Sequence, residues 1–165
     1  KYVNKGTVIK NTGASSFYHI WVTFRLGEFY LDYAEAALNA TKSGYSVPSG
    51  CSMTAAQAIN MVRKRAGQPD IATGLSYDAF KKKYENERFV ELAFEGHRFY
   101  DLRRWKEAPE YLKTIRKMTI TKNDDGTLTF APGVLETRQW KDAWYLFPLP
   151  QKDVLNCGYQ QNPGY

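Results

Sequence analysis

Between Glu87 and Trp105 the chain concentrates side chains that could move protons or hold ions: Glu87, Arg88, Glu91, Glu95, His97, Arg98, Asp101, Arg103 and Arg104. Glu91 and Glu95 are four residues apart, so a helix carries both on one face. Two carboxylates with a histidine just beyond are the raw material of general acid–base catalysis. They could also begin a carboxylate-rich metal centre, but that chemistry wants a Glu-x-x-His pair within a helix. Phe94 stands three residues before His97 and cannot ligate a metal, and the other histidine, His19, is isolated. One histidine with carboxylates is a poor zinc set. Ser-His-Asp sets, Cys-His pairs and phosphate-binding glycine loops are absent from the sequence, so no cofactor and no metal are expected.

Arginine spacing argues for a different use of the same residues. Arg88 and Glu91, Arg98 and Asp101, and Asp101 and Arg104 are each three apart, the separation at which opposite charges pair along a helix. A guanidinium beside a carboxylate stabilises the anion and makes it a poor proton shuttle near neutral pH. The expectation is a structural network of Arg88, Glu91, Glu95, Arg98, Asp101 and Arg104. It would fasten two helices and a loop around Phe89, Phe94, Phe99, Tyr100 and Trp105. An enzyme using Glu91, Glu95 and His97 is the competing reading.

The elements that would position this segment are helical. A first helix is expected over about 20–40, with Phe24, Tyr30, Ala34, Ala37 and Leu38 at helical spacing and Leu26 and Leu31 filling the stripe. Arg25 and Glu28 form an i,i+3 pair. Loop 41–52 holds Gly44, Pro48 and Gly50. Thr54 and Gln57 then form a T-x-x-Q capping box. The helix it starts would bury Ala55, Ile59, Val62 and Ala66 and stop at Gly67 and Pro69. A third helix is expected over about 77–95, with apolar positions at Phe80, Tyr84, Val90, Leu92 and Phe94. Gly96 breaks it from a fourth, about 97–105, and one more helical turn around Pro109 reaches Arg116.

The character changes after that. Met118-Thr119-Ile120-Thr121 and Thr127-Leu128-Thr129-Phe130 flank Asn123-Asp124-Asp125-Gly126, a hairpin signal. Prolines keep the apolar run Trp144-Tyr145-Leu146-Phe147-Pro148-Leu149-Pro150 out of a helix. The first residues, to about 16, are polar, with Val3, Val8 and Ile9 able to form short extended pieces. The fold class is therefore mainly α: antiparallel helix pairs, a small β-hairpin and an irregular C-terminal segment. Leu26-Gly27-x-x-Tyr30 matches the L-G-x-x-Y core of the tetratricopeptide repeat, with Thr23 in place of the usual Trp.

Composition narrows the function. The 165 residues suffice for one core or for a piece of a larger one. Twenty-three basic against 17 acidic residues leave a net charge of +6. The charges alternate along presumed helices, as at Lys81-Lys82-Lys83-Tyr84-Glu85-Asn86-Glu87-Arg88, the pattern of solvated, ion-paired faces rather than a nucleic-acid surface. Aromatics are abundant at 15%, and they serve a core or a stacking surface. Cys51 and Cys157 fit neither a metal spacing nor a disulfide framework. No apolar run approaches the roughly twenty residues that span a bilayer. Lys1-Tyr2-Val3-Asn4-Lys5 reads as mid-domain sequence, so the chain is expected to be the C-terminal part of something longer.

The charged segment, from Glu87-Arg88 through Phe94-Glu95-Gly96-His97-Arg98-Phe99-Tyr100-Asp101-Leu102-Arg103-Arg104-Trp105, closely resembles the SusD/RagB family. So does Asn60-Met61-Val62-Arg63-Lys64-Arg65-Ala66-Gly67. Phe24-Arg25-Leu26-Gly27-Glu28-Phe29-Tyr30-Leu31-Asp32-Tyr33-Ala34-Glu35-Ala36 is similar to that family's R-L-x-E-x-x-L-x-Y-A-E-A helix, with Gly27 where Ala is frequent. Tyr145-Leu146-Phe147-Pro148-Leu149-Pro150-Gln151 and Gln161-Asn162-Pro163-Gly164-Tyr165 resemble its C-terminal signature. These blocks cover essentially the whole chain.

The resemblance implies the C-terminal part of a SusD-like domain, residues 1–165, with a helical core over about 20–116 and a hairpin and C-terminal segment over about 117–165. It implies a non-enzymatic binding protein on the outer face of the Bacteroidetes outer membrane, held by a lipid anchor outside this chain. Its ligand would be a glycan, or a peptide in the RagB-like branch, and its partner a SusC-like TonB-dependent transporter. Tyr45, in loop 41–52, and Trp140 are the candidate glycan-stacking aromatics. A helical-repeat adaptor that binds another protein is the alternative.

Overall fold

Six helices, a short 3-10 helix and one two-stranded sheet follow one another in the computed structural model, which describes residues 23–165. The fold is mainly helical with a small antiparallel hairpin, as the sequence leads one to expect. The extended pieces expected at Val3, Val8 and Ile9, the histidine His19 and the expected start of the first helix near residue 20 lie outside the described residues. These residues form two compact units, one ending at Leu92 and one beginning at Ala93.

In the first unit, α1 (Leu26–Thr41), α2 (Ala55–Arg65) and α3 (Tyr77–Glu91) pack against one another. Leu31, Ala34 and Leu38 of α1 meet Ala55, Ala58, Ile59 and Val62 of α2 and Phe80 and Tyr84 of α3 in a core with almost no exposure. Each large side chain buried this fully contributes about 1.5–3 kcal/mol. The Tyr84 hydroxyl reaches into that core with its polar end satisfied, donating to Glu35 Oε2 at 2.7 Å.

Helix α1 starts later than the periodicity predicts. Arg25 is extended, with φ −144° and ψ 152°, and this lets its side chain turn away from the helix axis toward Glu91. Phe24 consequently precedes the helix and is exposed, as is Leu26, so neither joins the buried stripe. The start of α2 follows the expected capping box. Thr54 Oγ1 accepts from Gln57 N at 3.1 Å and Gln57 Oε1 accepts from Thr54 N at 2.8 Å, an arrangement that stabilises a helix by about 1 kcal/mol. Ala66, expected on its buried face, is the exposed C-cap.

Helix α3 ends at Glu91, four residues before the expected boundary. Leu92 N still donates to Arg88 O, but Phe94 and Gly96 then take left-handed backbone at φ 66° and φ 85° and turn the chain. Glycine adopts that conformation without a steric penalty. For Phe94 it is unusual, and its ring is left 99% exposed. Phe89 and Tyr100 are exposed too. The expected ring of aromatics inside a charged network is therefore corrected: Phe89 on α3, Phe94 in the turn and Tyr100 on the following helix point outward.

The second unit opens with α4 (His97–Arg104) and α5 (Ala108–Lys113), the latter with Pro109 in its first turn, where a missing N–H costs nothing. The helical turn ends at Lys113, not Arg116, because strand β1 (Thr114–Lys122) takes over. It pairs antiparallel with β2 (Leu128–Thr137) in the register Ile120↔Phe130 and Met118↔Pro132. Gly126, at φ 82°, closes the turn, and the Asp125 carboxylate accepts from Thr127 N and Thr127 Oγ1. Those hydrogen bonds hold the Asp125 carboxyl below its ordinary range.

The proline-containing tail is more ordered than an irregular segment. A 3-10 helix (Asp142–Tyr145) precedes it and a helix, α6 (Gln151–Cys157), follows it. Between them the backbone has no ladder, and buried backbone groups need partners. The closing residues supply them: Gln161 accepts from Leu149 N at 2.7 Å and donates to Leu149 O at 2.9 Å, while Asn162 Nδ2 donates to Phe147 O at 2.6 Å.

Candidate functional site

The acidic and basic residues of the charged segment are divided between the two units. Glu91 lies at the end of α3 with its side chain 8% exposed. Arg25 ion-pairs with its Oε1 and also donates to its backbone carbonyl at 2.5 Å. Arg65, from the end of α2, donates to both carboxylate oxygens at 2.8 and 2.9 Å. One carboxylate thus ties the start of α1 and the end of α2 to the end of α3. Gly27 makes room: a Cβ there would lie 2.8 Å from Arg25 Nη1 and 3.1 Å from Glu91 Oε1.

Arg88, buried on the same helix, donates to Asp32 of α1 at 2.6 Å. Arg63 of α2 ion-pairs with Glu87 of α3. Within α3 the half-buried Lys81 and the buried Glu85 form an i,i+4 pair at 3.1 Å. Pairing between helices is what i,i+3 spacing could not reveal, since the partners are far apart in sequence.

Beyond Ala93, Asp101 is buried and accepts from Arg104 Nε and Nη2 at 3.1 and 3.0 Å, the i,i+3 pair read from spacing. Arg98 places its guanidinium 4.7 Å from the centre of the Tyr111 ring. Glu95 and His97 are half-buried, around the start of α4. Among the described residues no three His, Cys, Asp or Glu side chains gather as a set that could hold a metal ion. Cys51 and Cys157 are exposed free thiols.

Tyr45 is used by the fold. Its hydroxyl donates to Ala72 O at 2.7 Å and accepts from Leu75 N at 3.1 Å, and its ring meets Phe80 edge-on at 5.5 Å. It pins loop 42–54 to the loop before α3. Tyr45→Phe keeps the ring contact and removes both hydrogen bonds, so it should lower stability by about 1 kcal/mol, read as a shifted urea midpoint, without changing ligand affinity.

Trp140 lies in an aromatic cluster of the second unit. Its ring meets Trp144 edge-on at 5.8 Å and Tyr145 at 5.1 Å. Arg103 stacks 3.4 Å above Phe99, lies 5.7 Å from the Trp140 ring and donates to Trp144 O. The indole Nε1 of Trp140 is shielded from solvent and finds no acceptor among the described residues. A buried donor without a partner is costly, about 1–3 kcal/mol.

Beside this cluster opens a cavity of about 700 Å³. Tyr145, Leu146, Ala143 and Pro163 give it apolar walls, and Lys106 and Asp142 give it charge. The Tyr145 hydroxyl donates to Lys106 O at 3.0 Å while the Lys106 ammonium sits 4.3 Å from the Tyr145 ring centre. Burial, and then the Asp142 carboxylate, raise the Tyr145 hydroxyl above its ordinary range, so it stays a neutral donor. Gly164 is demanded twice over: its φ is +90°, and a Cβ would lie 2.7 Å from that of Ala143. The sequence signal for this place was the density of Trp140, Trp144 and Tyr145; nothing pointed to Lys106 or Asp142.

A second cavity, about 500 Å³, lies in the first unit among Leu26, Phe29, Tyr30, Tyr33, Cys51 and Met53. The Tyr33 hydroxyl donates to Met53 O at 2.5 Å. Burial, and then the Cys51 thiol, raise that hydroxyl above its ordinary range.

Comparison with known proteins decides the family. The model of the SusD family matches residues 1–165. The chain belongs to the SusD family. SusD-like protein P2 of Formosa agariphila is 31% identical to this SusD-family chain over 144 residues, 81% of the chain and 25% of that protein. The chain thus spans about a quarter of the length of this curated relative. No solved structure matches. Among the described residues of this SusD-family chain no helix is long and apolar enough to cross a membrane.

Proposed function

We propose that this chain is the C-terminal part of a cell-surface, lipid-anchored protein that captures a glycan without catalysis and delivers it to a SusC-like TonB-dependent transporter of the outer membrane. Membership of the SusD family supports this reading at the level of the whole protein. Within the chain, one observation carries it: Tyr145, packed in a cluster with Trp140 and next to Trp144 in the chain, lines an open cavity whose size suits a small ligand. Aromatic faces with a few placed polar groups are what a sugar ring needs, because it presents C–H faces and hydroxyl edges together.

The charged segment fits the same reading as scaffold. Glu91 is engaged by Arg65 of α2 and by Arg25 just before α1, and Asp101 by Arg104. These carboxylates are anchors, and no reaction is assigned to them.

Trp140→Ala should weaken glycan binding by the intact protein about tenfold, the factor that ~1.4 kcal/mol of lost contact gives. Isothermal titration calorimetry with the strongest glycan from an array would measure it. Unchanged affinity would remove Trp140 from the site.

A peptide or protein ligand is the second reading, favoured by the apolar cavity of the first unit beside the exposed Phe29 and Leu26. Pockets of this composition take an aliphatic or aromatic side chain.

A further inference from the structure

We infer that the cavity beside the 3-10 helix Asp142–Tyr145 is a subsite for one neutral sugar ring, recognised through Asp142 and Lys106; this rests on the glycan reading above. The two charges are the deciding feature. Both residues are exposed on the cavity wall, and among the described residues neither has an ion-pair partner. A carboxylate accepts two hydroxyl protons and an ammonium donates to hydroxyl oxygens, so together they match both polarities of a vicinal diol. Their charges cancel, which favours an uncharged ligand: a uronate or sulfated sugar attracted by Lys106 would be repelled by Asp142.

The remaining wall fits the other aspect of a pyranose. Leu146, Pro163 and Ala143 offer an apolar surface to its C–H face. The charged groups are held, not merely present. Lys106 occupies left-handed backbone at φ 63°, fixed through its carbonyl by the Tyr145 hydroxyl. Its ammonium is steered onto the Tyr145 ring. A non-glycine residue kept in that conformation is strained and persists where the surroundings over-determine it. Asp142 begins the 3-10 helix whose other end carries Tyr145. The cavity, about 700 Å³, is wide enough for a single ring with its water.

The test titrates the intact protein with maltohexaose, cellohexaose, laminarihexaose, xylohexaose and mannohexaose, and with hexagalacturonate as the acidic arm. The expected result is binding of at least one neutral oligosaccharide, weakened about tenfold by Asp142→Asn and by Lys106→Met with melting temperature unchanged. Asp142→Asn conserves shape at an exposed position, so its effect does not depend on refolding. Neutral binding that neither variant alters overturns this subsite and leaves the glycan reading standing. Binding of hexagalacturonate alone overturns the assignment of a neutral ligand. No binding of any glycan by the wild-type protein overturns the glycan reading and this inference with it.

Discussion

Glu91→Ala should lower the stability of the intact protein by about 2 kcal/mol, a larger loss than any surface ion pair gives. Removing one partner of a fully buried pair costs about 3–5 kcal/mol, because the other charge is stranded. Here two guanidiniums lose the same carboxylate at once. Arg25, 21% exposed, is the one that suffers, whereas Arg65, 62% exposed, can return to water. The expected value therefore falls below the fully buried case. Part of the loss is geometric. The Glu91 side chain connects the entrance of α1 to the end of α2, and without it the first turn of α1, which has no side-chain cap, loses one of its tethers while the Arg25 bond to the residue-91 carbonyl remains. Chemical denaturation of the variant should show a lower midpoint with an unchanged slope, since the folded state remains compact.

Gly44→Ala should be comparably damaging, by about 1–3 kcal/mol. A Cβ at this position would lie 2.2 Å from two atoms of the Phe80 ring and 2.6 Å from a third. The ring has no room to retreat, being fully buried with Tyr45 against its edge. The backbone is held as well, since Gly44 O accepts from Ala56 N at 2.8 Å in the first turn of α2. The glycine is required by space and not by its φ. Phe80→Leu in the Gly44→Ala background should recover part of the loss, because a smaller side chain admits the methyl. A Gly44→Ala protein with wild-type denaturation midpoint would mean that loop 42–54 does not seat on Phe80 as described.

Local signals carried much of the fold. The capping box at Thr54 and Gln57, the Asp125-Gly126 turn and the break at Gly96 each involve residues within a few positions of one another, so spacing alone reveals them. The end of α3 is hidden from the sequence because Phe94 has the hydrophobicity of a helix face while its backbone is left-handed. The order of the tail is hidden for a similar reason: Pro148 and Pro150 announce a break, but Pro150 is also the N-cap of α6. What satisfies the tail, Gln161 and Asn162, comes from beyond that helix.

The charged segment shows the limit most clearly. Its i,i+3 arithmetic found the Asp101–Arg104 pair. It could not find Arg25, 66 residues from Glu91, or Asp32, 56 residues from Arg88. The residue types were right, and the partners that give them a role were set by helix packing. Likewise the density of aromatics from Trp140 to Tyr145 is legible in the sequence, while the half-burial of Trp140 in its cluster, and the place of Lys106 and Asp142 on one cavity, follow only from the folded chain.

That the segment around Glu91 is scaffold, and ligand capture lies elsewhere, is tested most directly by measuring the glycan affinity of the intact Glu91→Ala protein below its melting temperature, beside the melting temperature itself. The account predicts a lowered melting temperature and wild-type affinity in the folded protein. A preserved melting temperature with affinity lost would contradict it and return Glu91 to the binding site.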